Sequence, residues 1–319
     1  MKTVINSIAT HLPSKVVTND DLSDTLDTSH EWIFTRTGIE RRHLVSDGEF
    51  ASDLGIIAAK KAIEQADFDP AKLEAIIVST TTADRHFPSC GARIQGEIGA
   101  TKAFAFDVGA ACAGFIYSLA IADSLIKGSN LNNILLVCCE TLSRFVDWTD
   151  RSTCVLFGDG AGALLLQSSE DDHQGLIATK LYTDGSKEKH DSILAHSGPQ
   201  NGHRGYTTMK GRSVFKYAIE YMDQSVSEIL TENNMTFDDI DWIIPHQANR
   251  RILESLCKMK NFPTEKMIIT TNEHANTSSA SIPLAMGYGI ENGKIKRGHT
   301  ILLTALGAGL VWGSAILRY

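Results

Sequence analysis

A cysteine placed where an apolar strand runs into a helix is the residue in this chain best suited to act as a nucleophile. Cys112 follows Phe106-Asp107-Val108-Gly109-Ala110-Ala111 and precedes Ala113-Gly114-Phe115. The first turn of a helix carries unpaired backbone N–H groups and about half a unit of positive charge, which pushes a thiol toward thiolate. The small side chains of Gly109, Ala110, Ala111, Ala113 and Gly114 let backbone and substrate approach the sulfur. The competing reading is an inert core cysteine, the commoner state of a buried thiol. Two further candidates are His246, which follows an apolar strand, and Asn276, which opens a second apolar helix. Taken singly, they read as readily as a structural histidine and a helix cap.

What joins the three is a repeat of elements. Residues 51–65 have helical periodicity, and residues 73–80 read as a strand. A strand over 103–108 then leads into a buried helix over 112–127, followed by a strand over 133–139. Gly158-Asp159-Gly160-Ala161-Gly162 opens a last strand, over 163–167. The same plan returns with a helix over 214–233, a strand ending near 244, a helix over 276–289 and a strand over 300–305. Gly307-Ala308-Gly309 and a final strand close it. Such a series predicts a duplicated α/β unit with two similar sheets, divided near the polar stretch 168–174 into halves 1–170 and 171–319. Cys112 and Asn276 occupy matching positions, and His246 follows the counterpart of the 76–80 strand. Equivalent helix starts in a pseudo-symmetric pair converge on the central axis, so the three can share one buried site. The G-x-G-x-G at 158–162 precedes its strand rather than following one and opening a helix, which excludes a dinucleotide-binding reading.

Bulk properties narrow the class. The 319 residues suffice for a large core or two domains, and 43% hydrophobic with 21% charged residues is ordinary for a soluble globular protein. A net charge of −8 argues against a nucleic-acid partner. Residues 1–10 show no targeting pattern, and no uninterrupted apolar run approaches the roughly 18 residues a membrane span takes. The six cysteines (Cys90, Cys112, Cys138, Cys139, Cys154, Cys257) form no C-x-x-C pair, which suits reduced thiols in a cytoplasm and gives no reason to expect a metal. In the first half, Thr28 or Ser29 caps a helix that carries Trp32, and a basic turn runs from Arg36 to Arg42. That segment is either a solvated loop or a clasp for an aromatic, phosphorylated ligand. After His246, Arg251 and Lys258 lie seven apart on one helix face, with Arg250 and Lys216 nearby. This is either a solvated face or a basic island on an acidic protein that suits an acidic partner.

Three stretches together resemble the motifs of 3-oxoacyl-[acyl carrier protein] synthase III: Asp107 to Phe115 around Cys112, Pro245-His246-Gln247-Ala248-Asn249, and Asn276-Thr277-Ser278-Ser279-Ala280-Ser281-Ile282-Pro283. The likeness extends over essentially the whole chain. It implies a thiolase-like, duplicated five-layered αβαβα sandwich, a homodimer, and an acyltransferase that condenses a short acyl-CoA with malonyl-acyl carrier protein to initiate fatty-acid synthesis. Neither a cofactor nor a metal is implied. In that reading Cys112 is acylated, and the backbone N–H groups of Cys112 and Ala308 form the oxyanion hole. His246 and Asn276 donate to the malonyl thioester carbonyl as CO₂ leaves. The resemblance further implies that Thr28, Trp32, Arg36, Arg151, Gly211, Phe215, Ala248 and Asn249 bind the coenzyme. Arg251 matches the family's carrier-docking position, so the basic island of Lys216, Arg250, Arg251 and Lys258 is expected to meet the carrier protein, and Phe87 and Leu306 are implied to bound the acyl pocket.

The chain departs from the family pattern at two places. Ala308 stands where a glycine is common; should that position need φ > 0, alanine costs on the order of 1 kcal/mol. Leu306 replaces a phenylalanine and widens the pocket, whereas Phe87 shortens it, so a primer of about two to eight carbons is expected. The rival readings are an acyltransferase of secondary metabolism with another acceptor, and a non-catalytic scaffold that binds the carrier. A thiolase is excluded because no second cysteine lies near the C-terminal glycine turn.

Overall fold

Strands that alternate apolar side chains toward two opposite cores dictate a layered molecule. The computed structural model describes residues 1–195, 205–260 and 264–319. In the first sheet the strands are ordered Lys2–His11, Asp159–Ser169, Asn133–Thr141, Ala75–Ser79 and Phe104–Val108. In the second the order is Gly175–Thr183, Val311–Arg318, Thr300–Gly307 and Trp242–Pro245. The first four strands of one sheet match the four of the other in order and sense. The parallel pair Asn133–Thr141 with Ala75–Ser79 corresponds to Thr300–Gly307 with Trp242–Pro245, and the remaining matched pairs are antiparallel.

Successive strand residues point to opposite faces, and the packing follows that period. Ile76, Val78, Leu135, Val137 and Leu165 face an outer core closed by the helices Ala51–Gln65 and Cys90–Glu97. Ile77, Leu136 and Leu164 point the other way, into a central core shared with Ile301, Leu303 and Ala305 of the second sheet. The helices Gly114–Ser129 and Ser281–Glu291 fill that central layer. Leu302, Leu306 and Ile316 face the other outer core, under Gly211–Glu232 and Arg250–Lys260. Five layers result, helix, sheet, helix, sheet, helix.

The helix expected over 112–127 is divided in two. Ala111–Ala113 forms a 3₁₀ turn, and the α-helix begins at Gly114. Ala111 has φ 43°, a left-handed conformation costly for alanine, of the kind that collects at functional turns. Gly114 is required by packing, since a Cβ there would overlap Ser79 Oγ. By length and mean composition the segment Ala111–Ser129 is apolar enough to cross a membrane, although Ser118, Asp123, Ser124 and Lys127 interrupt it, in keeping with the expectation of no uninterrupted apolar run of that length. Its place between the two sheets accounts for that apolarity: Phe115, Ile116, Leu119, Ala122 and Ile126 are each buried to within 1%. The helix expected from 214 starts at Gly211, where the polar pair Gly211-Arg212 hides the first turn from hydrophobic periodicity. Ser29, not Thr28, caps His30–Thr37, accepting from the Trp32 N–H.

Candidate active site

The central layer carries the chemistry. Cys112 leaves the first sheet at the end of Phe104–Val108; His246 follows Trp242–Pro245 in the second; Asn276 precedes the central helix Ser281–Glu291. All three line one cleft of about 450 Å³. The halves are stitched together at its wall. Asn276 N–H donates to Leu156 O (2.9 Å), and Gly158 N–H donates to Asn276 O (3.0 Å). Strain flanks the junction, with Ala275 at φ 55° and Ser278 at φ 49°.

Hydrogen bonds orient both donors. Ser278 N–H donates to Asn276 Oδ1 (2.9 Å), which fixes the amide so that its NH₂ remains for the cleft. His246 is 4% exposed; its backbone N–H donates to Thr304 O (2.8 Å), and its Nδ1 lies 2.7 Å from Ser281 Oγ. The buried Gln247 side chain fastens the loop, donating to Pro245 O (2.7 Å) and Ile268 O (3.1 Å) and accepting from Thr270 N–H (2.8 Å). The sequence motifs contain Ser278, Ser281 and Gln247, but sequence reasoning gave them no role. The available signal was a run of hydroxyls between Asn276 and an apolar helix, where such residues otherwise serve as caps.

The helix-end argument for a thiolate does not hold in the assembled cleft. Burial pushes the Cys112 thiol up to about 11; a hydrogen bond with Ser278 pulls against this, and the nearby Glu140 carboxyl adds to it. The α-helix starts two residues beyond Cys112, so its dipole acts at a remove while desolvation acts on the sulfur directly. Burial likewise lowers His246 to about 3 and His274 to about 4, so both rings are neutral at pH 7. Unfolded histidines bind protons below about 6.5 that these folded ones cannot, so stability falls as pH drops through that value. Between pH 6.5 and pH 5 each is expected to cost on the order of 2 kcal/mol. Urea midpoints at pH 8 and pH 5 check this; equal midpoints would refute it.

Ala308 lines the cleft and is not among the described residues with positive φ, so alanine carries no backbone cost there. Its two neighbours demand glycine: Gly309 has φ 136°, and Gly307 is crowded by the nucleophile's turn. A Cβ on Gly307 would lie 2.7 Å from Cys112 N and 3.1 Å from Ala113 N, so the turn lies flush against the nucleophile's own N–H.

Of the residues expected to bind coenzyme, Trp32, Arg36, Arg151, Gly211, Phe215, Ala248 and Asn249 line the cleft. The Arg36 and Arg151 guanidinium carbons stand 4.4 and 5.2 Å from the centre of the Trp32 ring, and Arg151 is tied to Asp27 (3.0 Å). Asn249 joins the walls, donating to Arg36 O (3.1 Å) and accepting from Arg251 N–H (2.8 Å). Thr28 does not line the cleft; its hydroxyl is buried without a partner beside the Ser29 cap.

Leu306 lines the cleft and is 5% exposed. Phe87 does not: it is 84% exposed on the loop before Cys90–Glu97, so within its own chain it shortens no pocket. Among the residues of the basic island, Lys216, Arg250, Arg251 and Lys258 are all exposed. Arg250 is paired with Glu254 (2.9 Å), and Arg251 belongs to the cleft itself. A second cleft of about 570 Å³, between Ser46, Phe50, Asp84 and Arg144, is lined among the described residues by none of the predicted ones and by no cysteine or histidine.

Two matched sheets around a buried helical layer, with a cysteine, a neutral histidine and an oriented asparagine in one tunnel, define a thiolase-like acyltransferase. Residues 106–185 match the family model for 3-oxoacyl-[acyl-carrier-protein] synthase III, and residues 230–319 match the model for its C-terminal part. The chain is 49% identical over 321 residues to beta-ketoacyl-[acyl-carrier-protein] synthase III of Wolbachia pipientis wMel, covering 100% of this chain and 99% of that one. It is 47% identical over 318 residues to the enzyme of the same name from Ehrlichia canis, covering 99% of each. The crystal structure of 3-oxoacyl-[acyl-carrier-protein] synthase III from Aquifex aeolicus superposes with a TM-score of 0.94 at 43% identity, over 99% of this chain and 100% of that one. The chain belongs to the beta-ketoacyl-[acyl-carrier-protein] synthase III family, condensing acyltransferases that initiate fatty-acid synthesis.

Proposed function

We propose that Cys112 takes an acyl group from a short acyl-CoA and passes it to the carbanion formed from malonyl-acyl carrier protein. The observation that carries this reading is the convergence of Cys112, His246 and Asn276, from the two halves 1–170 and 171–319, on one tunnel. In the first step sulfur attacks the thioester carbon, the N–H groups of Cys112 and Ala308 receive the negative oxygen, and the thiol proton leaves with coenzyme A as its free thiol. In the second, the carboxylate of malonyl-carrier leaves as CO₂, and its bonding electrons form an enolate held by His246 and Asn276. The enolate carbon attacks the acyl-cysteine, and the released sulfur regains a proton. Neutral His246 and the fixed Asn276 amide suit that role, since each donates an N–H without bringing a charge into the cleft.

The coenzyme enters past Trp32, Arg36 and Arg151, with Gly211, Phe215, Ala248 and Asn249 along its arm. Carrier protein docks on Lys216, Arg250, Arg251 and Lys258, supported by their exposure and by the place of Arg251 in the wall of the cleft. The test is intact mass after incubation with acyl-CoAs of two to sixteen carbons, followed by a malonyl-carrier chase. A single adduct that favours short chains and discharges with CO₂ is expected. An adduct indifferent to the chase would favour another acceptor, and preferential loading of long chains would refute the short-primer reading. Lys216→Glu with Lys258→Glu should slow the chase and leave loading unchanged.

A homodimer is proposed on the exposed apolar features of the first sheet. Phe104–Val108 is an edge strand, unpaired on its outer side among the described residues, on which Phe104 is 49% exposed and stacked with Phe106 at 6.2 Å. Pairing of that edge with a second copy would cover it. Such pairing leaves Phe87 free to contribute to the partner's pocket rather than its own. Sedimentation showing a monomer at micromolar concentration would overturn the dimer. The six free thiols support a reducing cytoplasmic compartment, which cell fractionation tests.

A further inference from the structure

The His246 ring has two nitrogens, and the role proposed for it needs a hydrogen on the one that faces the cleft. Ser281 contacts the other. Its hydroxyl lies 2.7 Å from His246 Nδ1, and both groups are buried, Ser281 to 1% exposure. The same oxygen accepts from Gln247 N–H (3.3 Å). Among the described residues, Nδ1 is the only acceptor within reach of the Ser281 hydroxyl hydrogen.

We propose that Ser281 is a positioning residue that donates its hydroxyl hydrogen to His246 Nδ1 and so holds the neutral ring as the Nε2–H tautomer. A neutral imidazole offers one donor and one acceptor. Were Nδ1 to carry the hydrogen, the buried Ser281 hydroxyl would have no acceptor, and Nε2 would face the cleft as a bare lone pair that repels a developing enolate oxygen. Ser281 is well fixed for the task. It is the first residue of the central helix Ser281–Glu291, and its neighbour Ser279 is anchored to Glu140 Oε1 (2.7 Å) and Ser79 O (3.2 Å). Gln247, held at three points, keeps the His246 loop in register with it.

The catalytic consequence rests on the reading of His246 as donor in the second half-reaction, and the experiment separates the two. Nitrogen-15 spectra of histidine-labelled protein, with His246 identified by its loss in His246→Gln, should show Nε2 protonated and Nδ1 not. The opposite tautomer in the wild-type protein overturns the proposal without any variant. Ser281→Ala is expected to admit the Nδ1–H tautomer and slow the malonyl-carrier chase about tenfold or more, with loading of Cys112 from acyl-CoA unchanged. Ser281→Thr, which keeps the hydroxyl, should restore both readouts. An unmoved tautomer in Ser281→Ala overturns the role of Ser281 and leaves that of His246 standing. A moved tautomer with an undiminished chase overturns the role of His246 as donor.

Discussion

Cys112→Ser is expected to form no acyl adduct with any acyl-CoA and to lower condensation by at least about 10³-fold, with the fold intact. The expectation follows from the environment of the sulfur. Burial already holds the thiol near 11, so little thiolate exists before substrate arrives, and the reaction relies on the polarisability of sulfur and on N–H groups aimed at the carbonyl oxygen. A serine hydroxyl, intrinsically a far weaker acid, sits in the same desolvated place with no base bonded to it. Intact mass reads the adduct directly. Decarboxylation of malonyl-carrier by the variant reads the second half-reaction separately, since His246 and Asn276 are untouched. An adduct at full occupancy on Cys112→Ser would place the nucleophile elsewhere, and the other five cysteines are all buried.

Gly307→Ala is expected to lower acylation by at least about 10²-fold, a loss of the size that follows when a reacting group moves by about an ångström. The new Cβ would stand 2.7 Å from Cys112 N, 3.0 Å from Ala111 Cβ and 3.1 Å from Ala113 N. Two of those three atoms are backbone, so no rotamer relieves the overlap. Either the glycine turn or the Cys112 turn must retreat, and with it an oxyanion donor. Gly128→Ala is the control. It lies in the central helix with nothing within 4 Å of the added methyl and should leave the rate unchanged while slightly favouring the helix. A fully active Gly307→Ala would refute the close approach of the two turns.

Much of this architecture is legible in the residues because burial and periodicity coincide. The helix Ala51–Gln65 has the limits its apolar spacing predicts, and the strand expected over 133–139 runs on only to Thr141. The pairing of Cys112 with Asn276 by repeat position also places them correctly, since the repeat is written in element order. Three features are not written there. The helix dipole argument for Cys112 ignores desolvation, a property of the assembled core that no local stretch displays. The need for glycine falls at 307 rather than 308 because it comes from a neighbour nearly two hundred residues away. Phe87 belongs to a loop whose contacts within one chain are few, so its meaning depends on a surface that a single sequence does not describe.

The short parallel bridge between Phe157 and Asn276 ties a first-half loop to a second-half loop at the cleft wall. Each half closes its own sheet from its own strands, yet neither holds a complete set of reacting groups. On refolding, the sheets can therefore form before the chain has any catalytic capacity, which appears only when the halves dock and the bridge closes. Recovery of acylation should lag recovery of strand signal, which makes the enzyme's own turnover a clock for the last step of its folding.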